Sequence, residues 1–141
     1  MRKVILAVIL MLSILLLYAK SYASKWEYLA SSGVYVYYYD VDNIENLSEI
    51  TVQIILKQTY EDKDSVNQFY QKYATDDNSV ELEDYSILTM VVNCADKIVG
   101  VKSIISYKES GEVILQTNFN NINYLFIPSG SIYEALYDKV C

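Results

Sequence analysis

The 141-residue sequence predicts an α+β, mainly β fold: a six-stranded antiparallel sheet with a C-terminal helix packed on one face and tethered by a disulfide. Three observations carry that expectation. Six segments are rich in β-branched and aromatic residues, several with a two-residue apolar period. The last eleven residues, "SIYEALYDKVC", change to helical spacing. Only two cysteines occur, Cys94 after a strand-like run and Cys141 at the end of that helix.

The N-terminus changes every other count. Arg2 and Lys3 precede an almost unbroken apolar run from Val4 to Ala19, followed by "KSYAS" with small residues around Tyr22. This pattern predicts a secretory signal peptide over residues 1–23, cleaved between Ala23 and Ser24. The run is shorter than the roughly 20 residues a spanning helix needs, so no stable membrane anchor is expected after cleavage. No cysteine follows the run to take a lipid, so an exported, periplasmic or secreted domain over 24–141 is expected, long enough for one core. Without Arg2, Lys3 and Lys20 that domain has eight basic and eighteen acidic side chains, a net charge of −10. Such a balance disfavours nucleic acid and anionic lipid and favours solubility or a basic protein partner. Exported cysteines meet an oxidising compartment, so Cys94 and Cys141 are expected as a disulfide; the alternative is two free thiols.

The elements follow in order. "KWEYL" and "VYVYYYD" flank Ser31-Ser32-Gly33, a hairpin signal, and "DVDNIENLS" is a polar loop. "EITVQIILKQTY" places Ile50, Val52, Ile54 and Leu56 on one face of a half-buried strand, with Ile55 the exception. Between Glu61 and Ser79, Val66, Phe69, Tyr70 and Tyr73 have helix-like spacing, which predicts a short helix within a long connection. In "ELEDYSILTMVVN", Leu88, Met90 and Val92 share a parity with Cys94. "IVGVKSIISYK" and "EVILQTNF" form a hairpin about "ESG", and "NNIN" breaks the pattern. Ser131 and Glu134 then make a capping box, and Ile132, Leu136 and Val140 line one helix face with Ala135 beside them. A helix this short is marginal in water, so packing and a pinned end must hold it. A Cys94–Cys141 bridge closes a loop of about 48 residues, worth about 4 kcal/mol in the chain-entropy model.

Trp26 at the first exported strand, "YYYDVDNI" from Tyr37 to Ile44, "VVNCADK", and "IPSGSIYEALYDKVC" at the terminus form a recognisable order. Over essentially all of 26–141, apart from the polar connection near 61–80, the chain resembles the surface-adhesin protein E-like family of small exported bacterial proteins. The resemblance implies a six-stranded antiparallel sheet with a C-terminal helix disulfide-tethered to its concave face. Cys94 and Cys141 stand at the matching positions. It also implies a non-enzymatic, adhesin-like protein that binds a protein partner.

Among candidate sites, Tyr35, Tyr37 and Tyr39 project to one face of their strand, with Val34, Val36 and Tyr38 on the other. Tyrosine presents a flat apolar ring with a polar tip, and is enriched in protein contacts. The three rings are therefore candidates for a binding surface, the alternative being that they cover the core. Their strand is also a candidate edge for pairing with another chain, a second copy included, to form a homodimer. "DVDNIE", with Asp40, Asp42, Asn43 and Glu45, faintly resembles a cation loop but has Glu45 and Thr51 where an EF-hand needs Gly and Glu; a turn with Asp40 bonded to its own backbone is the simpler reading. Asp76-Asp77 and "ELED" at 81–84 read as solvated charge. No histidine and only four glycines occur, so no His-based catalytic set or Gly-rich phosphate loop is expected, nor any metal or cofactor. Two further readings stand beside the adhesin-like one. The acidic domain could inhibit a basic cell-wall lytic enzyme such as a lysozyme, with the charge speeding encounter; an enzyme would have to work with Asp and Glu alone.

Overall fold

The computed structural model describes residues 24–73 and 82–141, so the apolar run, Ala23 and Asp76-Asp77 lie outside the described residues. Among the described residues eight strands and two helices follow one another: β1 (Trp26–Ser31), β2 (Tyr35–Asp40), β3 (Glu45–Asn46), β4 (Thr51–Tyr60), α1 (Lys63–Tyr73), β5 (Tyr85–Asn93), β6 (Ile98–Tyr107), β7 (Val113–Asn118), β8 (Tyr124–Phe126) and α2 (Ile132–Val140). All strands join one antiparallel sheet with main order β1-β2-β4-β5-β6-β7; β3 adds to β4 and β8 to β6. The six expected strands form the sheet's main path. Of the two short ones, β3 arises in the segment expected as a polar loop, and β8 follows the break at "NNIN".

Neighbours in this order are mostly joined by tight turns, which makes a meander whose register the alternation can hold. Gly33 at φ +83° and Gly111 at φ +86° supply the left-handed residues of the two outer hairpin turns. One face of the sheet carries Tyr37 and Tyr39 from β2, Ile54 and Leu56 from β4, Met90 and Val92 from β5 and Val99 from β6, all in one buried cluster. That parity is the one the alternating residues predict for β4 and β5. Ile50 departs from it: it precedes β4 and is exposed, its carbonyl accepting from the Cys94 N–H at 2.8 Å. The cluster's polar margin is satisfied internally, since the buried hydroxyls of Ser86 and Ser106 bond each other across β5 and β6 at 2.8 Å.

Helix α2 covers this face. Leu136 is fully buried in the cluster, and Ile132, Tyr133, Ala135, Tyr137 and Val140 pack against it. Its end is pinned twice at one place: Cys141 forms the disulfide with Cys94, with Cα atoms 5.6 Å apart, and the Tyr137 hydroxyl donates to the Cys94 carbonyl at 3.0 Å. At the other end the Ser131 hydroxyl accepts from the Glu134 N–H at 3.2 Å, as the capping box requires. The reciprocal arm differs from expectation. The Glu134 carboxylate accepts from the Gly130 N–H at 2.6 Å, because the Ser131 N–H already bonds the Pro128 carbonyl.

The two edges of the sheet are unlike. β1 is interrupted by a bulge between Tyr28 and Ala30, which breaks the straight ladder another strand would need. On the other side, β7 and β8 lie in line along β6, parted by 119–123. There Ile122 folds over Gly100, where a Cβ would collide with its side chain and crowd the Asn123 carbonyl. The tyrosine-rich strand is not an edge: β2 is paired on both sides, to β1 and to β4. The expectation that it pairs with another chain is corrected accordingly.

Candidate functional site

The three candidate tyrosines separate. Tyr37 and Tyr39 keep only 9 % and 7 % of their surface exposed and belong to the core beneath α2. Burial raises the pKa of both phenols above the usual tyrosine value. Tyr39 donates to the Glu27 carboxylate at 3.1 Å, so its polar tip is anchored at the margin of the cluster. The surface role expected for these two is corrected: the face they share is the one the helix closes. Tyr35, at the strand's beginning, lies at the cluster's margin and faces a cavity instead.

That cavity is an open apolar groove of about 340 Å³ between α1 and the ends of β2 and β4. Val34, Tyr35, Tyr60, Val66, Phe69 and Tyr70 line it, with Ser65. Local sequence explains each wall. β2 and β4 are in register at Tyr35 and Tyr60, whose rings lie 5.0 Å apart. The chain then turns straight into α1, where Asp62 caps the helix by accepting from the Ser65 N–H at 3.1 Å and the Ser65 hydroxyl at 2.6 Å. Val66, Phe69 and Tyr70 follow at helical spacing, and the Phe69 and Tyr70 rings meet edge to face with centroids 6.0 Å apart. Carboxylates meet two of the lining residues, Asp62 at Ser65 and Glu83 at Tyr60. Tyr60 donates to Glu83 at 3.2 Å, and the Glu61 N–H bonds the Val34 carbonyl at 2.9 Å. Desolvation, then the neighbouring Tyr35 and Glu83, push the Tyr60 phenol well above its usual range. Its bonds to Ser65 hold the Asp62 carboxyl below the ordinary aspartate value. Lys63 is paired with Asp84.

A second surface lies on the β7–β8 edge, where Leu115, Phe119, Tyr124, Leu125 and Phe126 are exposed; Leu125 and Phe126 keep 67 % and 81 % of their surface. The sheet face away from α2 has a shallow depression around Trp26, Ile55, Lys57 and Tyr85, but the Tyr85 ring is committed to its neighbours. Tyr85 stacks on Tyr107 at 5.0 Å with planes 12° apart, and Lys57 approaches its ring at 4.8 Å. Those partners come from the strands on opposite sides of β5, so the row is a cross-strand ladder.

The "DVDNIE" loop is a turn. Asp40 is 1 % exposed, and its two oxygens accept from the Asp42 N–H at 3.1 Å and the Asn43 amide at 2.7 Å. Cys94 and Cys141 are the expected pair. Sequence reading did not single out the groove or the β7–β8 edge as sites. Signals for both were present, in the apolar spacing of Val66, Phe69 and Tyr70 amid acidic residues and in the apolar run Leu125-Phe126-Ile127 after a polar loop. Comparison with protein-family models, with curated proteins and with solved structures returns no match. Among the described residues no helix is long and apolar enough to cross a membrane.

Proposed function

We propose that the chain is an exported, non-enzymatic binding protein, adhesin E-like as its sequence resemblance implies, that grips a protein partner through the β7–β8 edge. One observation carries the reading: Leu125 and Phe126, on opposite faces of a three-residue edge strand, are both largely exposed, with Leu115, Phe119 and Tyr124 along the same edge. Leaving that much apolar surface in water is unfavourable, and such clusters mark contact surfaces. The disulfide is compatible with export, because such a bond persists in oxidising compartments.

The inhibitor of a basic lytic enzyme is a second reading, supported by the carboxylates around the α1 groove. Capture experiments with the exported protein against host-matrix proteins and cell-wall lytic enzymes test both. The adhesin-like reading predicts a matrix partner whose retention falls at least tenfold in Leu125→Ser/Phe126→Ser and changes little between 50 and 300 mM salt. Capture of a lytic enzyme that collapses with salt supports the second reading. Undiminished capture by the double variant contradicts an edge contact.

A further inference from the structure

We propose that the groove between α1 and the β2–β4 ends is a peptide-binding site that seats one large apolar side chain from a cationic segment of a partner protein. The site is separate from the β7–β8 edge: β5 and β6 lie between β4 and that edge. Three features select the occupant.

Size and wall chemistry come first. A groove of about 340 Å³ lies at the small end of ligand sites, suited to an aromatic or branched aliphatic group. Its walls are the rings of Tyr35, Tyr60, Phe69 and Tyr70 with Val34 and Val66. Tyr70 and Val34 are exposed although they stand on the groove, so filling it removes apolar surface from water.

The polar groups in the wall come second. The Ser65 hydroxyl donates to Asp62, and the Tyr60 hydroxyl donates to Glu83. Neither keeps a proton to offer a guest, so an acceptor group on an occupant would give up its water at these two positions without replacement. With walls built mostly of rings and Val side chains, this favours an apolar occupant.

Charge comes third. The same two bonds fix the Asp62 and Glu83 carboxylates at the groove, and the backbone places Glu61 beside Val34. The nearby cation of Lys63 is taken up by Asp84. A lipid headgroup, a fatty acid or a second copy of this acidic chain would bring like charge to the rim. Lys or Arg on either side of the apolar group brings the opposite charge and steers the approach.

The test uses the exported full chain and three fluorescently labelled peptides, Lys-Lys-Phe-Lys-Lys, Lys-Lys-Ser-Lys-Lys and Glu-Glu-Phe-Glu-Glu, titrated by anisotropy at low salt. The first should bind at least tenfold more tightly than either of the others. Val34→Lys, at an exposed turn position, should weaken it at least tenfold with an unchanged circular dichroism spectrum. Phe126→Ser should leave it within twofold. Equal binding of the serine peptide reduces the site to a charged rim and overturns the proposal. Equal binding of the acidic peptide overturns it as well, as does a loss caused by Phe126→Ser and not by Val34→Lys. If Val34→Lys alters the spectrum, Glu61→Lys replaces it, with the same peptide expected to weaken at least threefold and an unchanged affinity counting against the site.

Discussion

Asp84 does three things at one position. Its N–H bonds the Tyr107 carbonyl at 2.8 Å, one oxygen pairs with Lys63 at the start of α1, and the other accepts from the Glu109 N–H at 2.7 Å. One carboxylate thus joins the helix beside the groove to the β6–β7 turn. The Lys63 bond, then the Glu109 N–H, hold its pKa below the ordinary value of 3.8. A carboxyl whose folded pKa is depressed contributes stability that is complete above its unfolded value and is lost as pH falls through the folded one. The protein should therefore lose urea resistance as pH drops below about 4, the usual carboxylate range. Asp84→Asn, less stable at neutral pH, should show a smaller loss over the same interval. Parallel curves for the two proteins between pH 6 and 2 would show that Asp84 contributes nothing to acid sensitivity. Residue-scale polarity of this kind was the least legible part of the sequence. Asp84 stands in "ELED", which reads as solvated charge, and only the fold brings Lys63 and Glu109 to it.

At the scale of elements, α2 shows which force holds a short helix. Its nine residues are too few for independent stability, so the cap and the buried face contribute very unequally. Ser131→Ala removes one capping bond and should cost about 1 kcal/mol. Leu136→Ala opens a cavity at a fully buried position and should cost about 2–5 kcal/mol, provided the sheet does not collapse into it. Denaturant midpoints of the two variants check the order; a larger loss from Ser131→Ala would mean that α2 is held by its cap and not by packing. Element-scale structure was largely legible because each signal is local. The two-residue period of Val52, Ile54 and Leu56, the shared parity of Met90 and Val92, and the Ser131–Glu134 spacing all report on their own neighbourhoods. β3 and β8 escaped notice because two or three residues are too short to show a period. The fate of the tyrosines escaped for a different reason. Alternation puts Tyr35, Tyr37 and Tyr39 on one face, but only the docked helix decides which part of that face meets water.

For the whole molecule, the arrangement is a single antiparallel layer with one face closed by a helix at the end of the chain. A meander with sequential neighbours brings β4, β5 and β6 together through short turns or one helical connection, and the last element completes the core. The bond between Cys94 and Cys141 fixes the C-terminal end of α2 to the sheet. The chain-entropy contribution of about 4 kcal/mol is a large share of the 5–15 kcal/mol typical of a domain. The groove at α1 and the β7–β8 edge are the surfaces where partners are proposed to bind. Amide hydrogen exchange on the protein, oxidised and then reduced with both thiols alkylated, tests the tether directly. Ile132–Val140 should lose protection on reduction by a far larger factor than β4 and β5, which stay paired. Equal protection of α2 in the two states, or free thiols at both positions in the untreated protein, would contradict it.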